Sequence, residues 1–194
     1  MCGISGVISK MTGADSPTGL QSIVHSQRSR GPDSVGYLRR DLRDGRTLWL
    51  AHNRLSIIDL STDANQPMVT DDGRYAMVFN GAIYNYVELR RELEALGRRF
   101  RTSSDTEVLL LSYAQWGISA FSRFFGMFTV AIHDNFTDEL LLARDRFGVK
   151  PLYYREAADQ FWFASTPGAI AENEQLEPEL EYITRGIQLK YYED

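Results

Sequence analysis

The sequence predicts an α+β fold in which antiparallel β-sheets pack on each other and helices cover them from outside. Three observations predict it. Apolar runs with strand character come in pairs along the chain. Stretches with helical spacing fall in the middle and near the ends. The regular strand–helix–strand alternation of a parallel sheet is missing.

In chain order, Gly3–Ser9 reads as the first strand. Leu20, Ile23 and Val24 then share a helical face. Thr47–His52 and Tyr75–Asn80 read as strands, the second on the apolar run Tyr75-Ala76-Met77-Val78-Phe79. A helix follows Asn85, because Tyr86, Leu89, Leu93 and Leu96 recur at helical spacing. Asn85 with Glu88 three residues on reads as its cap, and Gly97 as its stop. A second helix is predicted from about Asp105 to Trp116, capped by Ser103 or Ser104 and stopped by Gly117. Phe128–Asp134, Glu139–Arg144 and Phe161–Ala164 complete the strands. There is no internal repeat and no low-complexity segment.

Composition narrows the class. A chain of 194 residues can form one domain with a substantial core. Hydrophobic residues at 43% and aromatics at 12% exclude a disordered chain. A single cysteine excludes an intramolecular disulfide framework and fits a reducing cytoplasm. No apolar run approaches the roughly 18–20 residues of a membrane span. The start lacks the basic-then-apolar order of a signal peptide. The net charge of −5 lies entirely in residues 171–194, which hold seven acids and two bases. The neutral remainder offers no broad field for nucleic acid, and Arg98, Arg99 and Arg101 read as a solvated edge.

Cys2 is that single cysteine, in the opening Met1-Cys2-Gly3-Ile4-Ser5-Gly6. A thiol must lose its proton to attack a carbonyl. If the initiator Met is removed, Cys2 carries a free α-amine, which titrates at about pH 7.7–8.0 and can serve as the base. One residue then supplies nucleophile and base without a histidine. The plainer alternative is a small buried apolar residue near the start.

Further polar residues fall where predicted strands end. Arg54 follows Ala51-His52-Asn53, Asn80-Gly81 ends the 75–80 strand, and Asp105 opens a helix. Each has a structural reading: a surface charge, a turn signal and helix-dipole compensation. Taken with Cys2 they also form a set: a nucleophile, an oxyanion donor pair, and a cation and an anion that could grip a zwitterion.

Six motifs run in order along nearly all of residues 2–165. They are Cys2-Gly3-Ile4, Arg30-Gly31-Pro32-Asp33, Arg54-Leu55-Ser56-Ile57-Ile58-Asp59-Leu60, Asn80-Gly81-Ala82-Ile83-Tyr84-Asn85, Ser104-Asp105-Thr106-Glu107-Val108 and Arg144-Asp145-Arg146-Phe147-Gly148-Val149-Lys150-Pro151-Leu152-Tyr153-Tyr154. With them the chain resembles the glutaminase domain of class II glutamine amidotransferases, which are N-terminal-nucleophile hydrolases. The third and sixth motifs resemble the asparagine synthetase branch.

The resemblance implies a four-layer αββα sandwich of two antiparallel sheets. It implies that Cys2 attacks the side-chain amide of glutamine, with its α-amine relaying protons. Asn80 and the Gly81 N–H would stabilise the oxyanion, each such donor worth roughly 3 kcal/mol of barrier. Arg54 would hold the substrate α-carboxylate and Asp105 its α-ammonium. Leu55, Ser56, Ile57, Ile58 and Ala82 would line the same pocket. Arg30–Asp33 and Arg144–Tyr154 are read as structural: Gly31-Pro32 sets a turn, and the leucines and tyrosines fill a core.

Three departures stand out. Ala82 replaces the Glu usual after Asn-Gly, which is expected to weaken glutamine binding but spare the chemical step. Ser29 replaces a His, and Thr166-Pro167 replaces Glu-Ile. Residues 1–172 are read as the glutaminase domain and 173–194 as an acidic linker or the start of a synthetase domain. The Ser-Gly-Gly-x-Asp-Ser loop of that domain is absent from this chain. No cofactor or metal is expected here, and ATP and Mg only in the synthetase part. The expected partners are glutamine and a synthetase domain in cis or in trans, with a homodimer possible for the full-length protein and no nucleic acid or membrane. A degenerate scaffold domain and a hydrolase of another amide stay open as alternatives.

Overall fold

The computed structural model describes residues 1–10, 18–157, 159–172 and 184. The 173–194 linker reading falls, Thr184 apart, outside the described residues. Two antiparallel sheets form. In the first, β1 (Gly3–Ser9) lies between β3 (Thr47–Arg54) and β9 (Gln160–Ala164), with β2 (Ser34–Asp41) and β8 (Tyr153–Ala157) at the edges. The second runs in the order β4 (Met68–Val69), β5 (Tyr75–Ile83), β6 (Gly126–Asp134) and β7 (Glu139–Arg144). The helices are α1 (Thr18–Ser26), α2 (Tyr86–Ala95), α3 (Asp105–Trp116) and α4 (Pro167–Glu172).

Strand alternation sorts the side chains into layers. Ile4, Leu48, Leu50 and Phe163 of the first sheet meet Ala76, Val78 and Ala131 of the second, which makes the layer between the sheets. The alternate positions Val7, Trp49, Ala51 and Trp162 turn outward onto Leu20, Ile23, Val24 and Ile170. On the far side, Met77, Phe79, Val130 and Ile132 face Leu89, Leu93, Val108 and Leu109. Helices thus cover both outer faces, which gives the αββα order.

The structure corrects several element readings. Asn80-Gly81 is no turn. β5 continues to Ile83, with Asn80 opposite Thr129 and Gly81 opposite Phe128. β6 begins two residues earlier than predicted and supplies that pairing. Glycine is required at 81 by close approach: a Cβ there would stand 2.3 Å from the Met127 carbonyl oxygen. The edge strands β2 and β8 were not predicted. Both are half-exposed and polar, so pairing with a neighbour makes them strands more than their own pattern does.

The helix ends divide. Gly97 takes φ 86° just beyond α2, as a stop should. Asn85 precedes α2 without capping it through its side chain; the amide holds the Arg123 carbonyl and the Phe125 N–H instead. Ser104, of the two serines, caps α3 by accepting from the Glu107 N–H. The short α4 was also missed; it opens on Pro167, whose ring is pre-set for a first helical turn.

Candidate active site

A cavity of about 240 Å³ opens where the residues just ahead of β1, the end of β3, the end of β5 and the start of α3 converge. Cys2, Arg54, Leu55, Ile57, Ile58, Asn80, Gly81, Ala82 and Asp105 all line it. These residues come from four separated segments, and the sandwich brings them together.

Cys2 sits just ahead of β1. Its sulfur accepts the Leu55 N–H at 3.4 Å, and its thiol faces the Leu55 carbonyl at 3.7 Å. The Cys2 carbonyl takes a hydrogen bond from Arg30 Nε at 3.1 Å. Asp33 accepts the Ser56 N–H at 2.7 Å and donates its own N–H to the Arg54 carbonyl at 3.0 Å. Residues 30–33 lie so close to β3 that a Cβ on Gly31 would stand 2.2 Å from the Asn53 carbonyl oxygen. The turn read as purely structural therefore holds the nucleophile and the 54–56 segment together.

Burial pushes the Cys2 thiol above its ordinary pKa, and Asp105 adds to this. The Leu55 N–H, the Met1 amine and Arg54 act in the opposite direction and are outweighed. The thiol is therefore neutral at neutral pH and needs a base to react. None of the three histidines lines the cavity. His52 is buried in the sheet, bonded to the Phe79 carbonyl, and held by burial at about 3.

Asn80 is 1% exposed, and its amide nitrogen has no hydrogen-bond partner among the described residues. A buried donor left open in this way is destabilising until a ligand oxygen meets it. Asp105 is likewise buried; its Oδ2 accepts the Ile83 N–H at 3.0 Å, which ties α3 to the end of β5. Burial pushes its carboxyl up, against the hydrogen bonds from Ile83 and Thr106.

Arg54 is more heavily engaged than the sequence implied. Nη1 donates to the Ser61 carbonyl and to Asn65 Oδ1, both at 2.7 Å, and Nη2 donates to the Asp59 carbonyl. Three of its five N–H donors thus hold the 59–65 segment, which leaves two for a ligand. Ser61 and Ser103 hydrogen-bond the Asp59 carboxylate and hold it well below the usual range, which fastens this segment to the start of α3.

Of residues 55–58, Leu55, Ile57 and Ile58 reach the cavity, with Ile57 74% exposed at its mouth. Ser56 is absent from the wall, its N–H being held by Asp33. Sequence reasoning missed Gln66, Met127 and Lys150, which also line the cavity. Gln66 accepts the Phe79 N–H at 2.6 Å and donates to Thr106, stitching β5 to α3. A lysine inside the apolar run Gly148–Tyr154 was the only signal for Lys150. Among the described residues, no group of three or more His, Cys, Asp or Glu side chains could hold a metal ion.

An αββα sandwich with its single thiol at the head of a central strand, in one cavity with an open amide donor, has the layout of an N-terminal-nucleophile hydrolase. The sequence profile of the glutamine amidotransferase domain matches residues 1–191, and the chain belongs to that family. It is 43% identical over 168 residues to asparagine synthetase [glutamine-hydrolyzing] 1 of Bacillus subtilis, covering 85% of this chain and 26% of that protein. It is 39% identical over 170 residues to a putative asparagine synthetase [glutamine-hydrolyzing] of Mycobacterium bovis, covering 81% of this chain and 26% of that protein. The chain therefore spans about a quarter of these relatives. Among solved structures, the glutamine phosphoribosylpyrophosphate amidotransferase of B. subtilis superposes with a TM-score of 0.71 at 23% identity, over 87% of this chain and 42% of that one. That likeness bears on the fold.

Proposed function

We propose that this chain hydrolyses glutamine to glutamate and ammonia through a Cys2 thioester. The observation that carries the reading is one cavity holding the Cys2 sulfur, the open Asn80 amide, Arg54 and Asp105. Once Met1 is removed, the Cys2 α-amine takes the thiol proton. The sulfur bonds to the γ-carbon, and the carbonyl electrons move to oxygen. The Asn80 amide and the Gly81 N–H receive that oxyanion. Collapse breaks the C–N bond, and the α-ammonium returns the proton to the leaving ammonia. Water then cleaves the thioester by the same steps.

The two remaining N–H donors of Arg54 take the substrate α-carboxylate, and Asp105 takes the α-ammonium. A site that reads both groups rejects amides that lack them, because its own charges would be left unpaired. This separates glutamine from other amides as substrate.

Residues 1–172 serve as the glutaminase domain, and 173–194 lead toward a synthetase part in cis or in trans. That part would bind ATP and Mg, take up the ammonia and form an amide. The relatives named as glutamine-hydrolysing asparagine synthetases support this role. A free thiol nucleophile suits the cytoplasm. Among the described residues, no helix is long and apolar enough to cross a membrane.

The test is ammonia release from glutamine by the mature protein, with Cys2→Ala as control and intact mass to follow Met1. Activity lost with Cys2 and accompanied by loss of Met1 supports the mechanism. Full activity with Met1 retained would refute the role of the α-amine. Absence of glutamine hydrolysis in processed protein would leave a scaffold domain.

A further inference from the structure

Lys150 is 5% exposed and lines the cavity that holds Cys2, Asn80 and Gly81. Among the described residues, no carboxylate lies within 4.0 Å of its ammonium, and no acceptor takes a hydrogen bond from it. An ammonium without a protein partner in a cavity of this kind favours an anionic ligand beside it. The Glu usual after Asn-Gly in the family is Ala82 here, so the wall supplies no carboxylate at that point.

The backbone of residue 150 is firmly held. Its N–H donates to Asp145 Oδ2 at 3.0 Å, and its carbonyl accepts from Arg144 Nε. Burial opposes the charge of Asp145, yet hydrogen bonds from Lys150, Val149, Phe128 and Phe147 keep its carboxyl below the usual range. Gly148 makes the turn with φ 63°.

The position of this anchor sets where the side chain enters. Asp145 Oδ2 also accepts the Phe128 N–H at 3.1 Å, and Thr129 Oγ1 donates to the Pro151 carbonyl at 3.5 Å. Phe128 and Thr129 are the β6 partners of Gly81 and Asn80. Lys150 therefore lines the cavity from a segment anchored on β6, the strand paired with the one that carries the oxyanion donors. Arg54 belongs to the other sheet and is held by the 59–65 segment.

The charges in the cavity point the same way. A glutamine zwitterion brings one carboxylate and one ammonium, which Arg54 and Asp105 match. Asp59, the other carboxylate on the wall, is taken by Ser61 and Ser103, so Lys150 is the lining cation left for negative charge that forms at the γ-position. Attack by Cys2 places that charge on the carbonyl oxygen, and hydrolysis leaves it on the γ-carboxylate. Resting on the glutaminase reading above, we propose that Lys150 is an electrostatic residue of this site, favouring negative charge at the γ-position, first in the tetrahedral intermediate and then in bound glutamate.

The experiment compares wild type, Lys150→Met and Lys150→Arg for kcat, KM, inhibition by glutamate and melting temperature. Lys150→Met should lower kcat by about 10- to 100-fold, with KM within about threefold. Inhibition by glutamate should weaken in parallel. The melting temperature should hold or rise, because Met keeps the packing of this side chain and no ion pair is lost. Lys150→Arg should keep most of the turnover and of the glutamate inhibition. Unchanged kcat and glutamate inhibition in Lys150→Met would overturn the assignment. A rise in KM alone would overturn it by moving the ammonium to the α-carboxylate, and a fall in melting temperature together with activity would make the role structural. If wild type releases no ammonia from glutamine, the glutaminase reading itself fails, an outcome distinct from wild-type activity that Lys150→Met leaves intact.

Discussion

Arg30 donates from Nε to the Cys2 carbonyl at 3.1 Å, so a side chain 28 residues away fixes the backbone of the nucleophile. Gly31 permits this by letting the 30–33 turn press against the end of β3. The same turn sends Asp33 to the Ser56 N–H, so both sides of the Cys2–Leu55 contact are held by one tetrapeptide. Arg30→Met should therefore misplace the thiol without removing any group that binds substrate. A nucleophile shifted by about 1 Å loses on the order of 100-fold in rate. We expect kcat for ammonia release to fall by about that factor, with KM changed far less. A large rise in KM at unchanged kcat would instead place Arg30 in substrate binding.

Asn80→Ala removes the open amide donor while leaving the β5–β6 ladder, which is made by backbone. Loss of one oxyanion donor lowers kcat by about 10²–10³-fold. The variant should fold at least as well as wild type, because an unpartnered buried amide is gone. Turnover and melting temperature together check this. A variant that keeps wild-type turnover would remove Asn80 from the oxyanion hole.

The buried Cys2 thiol sets a pH dependence with a definite sign. Its folded pKa is raised, so the folded state holds this proton more tightly than the unfolded chain does. That contribution to stability is complete below the unfolded thiol pKa of about 8.5, and is lost as pH rises through the folded value. In protein that retains Met1, iodoacetamide labelling of Cys2 should accelerate with a midpoint above about 8.5. Arg54→Ala removes a favourable charge and should move the midpoint higher still. A midpoint at or below the free-thiol value would show that burial does not govern this sulfur.

Ala82 lies on the cavity wall, where a glutamate could reach the substrate ammonium beside Asp105. A charged hydrogen bond contributes about 1.5–3 kcal/mol, so Ala82→Glu should lower KM for glutamine by roughly 10- to 100-fold. Its kcat reads a second partner, because Lys150 lines the same cavity: a drop in turnover would mark pairing of the new carboxylate with that ammonium. If neither constant moves, residue 82 does not face bound glutamine.

By itself, the sequence determined packed antiparallel sheets with outer helices and most of the residues it proposed for one cavity. Apolar runs at 3–9, 47–52 and 75–80 marked buried strands, and the helical face of Leu89 and Leu93 supplied an outer cover. Six ordered motifs singled out Cys2, Arg54, Asn80, Gly81 and Asp105, because nucleophile, donor and charge chemistry leaves a residue-type signature. Tertiary structure decided what depends on neighbours distant in sequence. Asn80-Gly81 reads locally as a turn, yet β6 supplies partners that carry β5 through it. Ser34–Asp41 and Tyr153–Ala157 become strands only because β3 and β9 stand beside them. Arg54 divides its donors between a loop and the cavity, a geometry no spacing encodes. Lys150 looks like an ordinary lysine among apolar residues until Asp145 folds its segment against β6 and brings the side chain to the thiol's cavity. Burial and charge pairing are sums over contacts between distant segments, and the chain acquires them only when the two sheets close on each other.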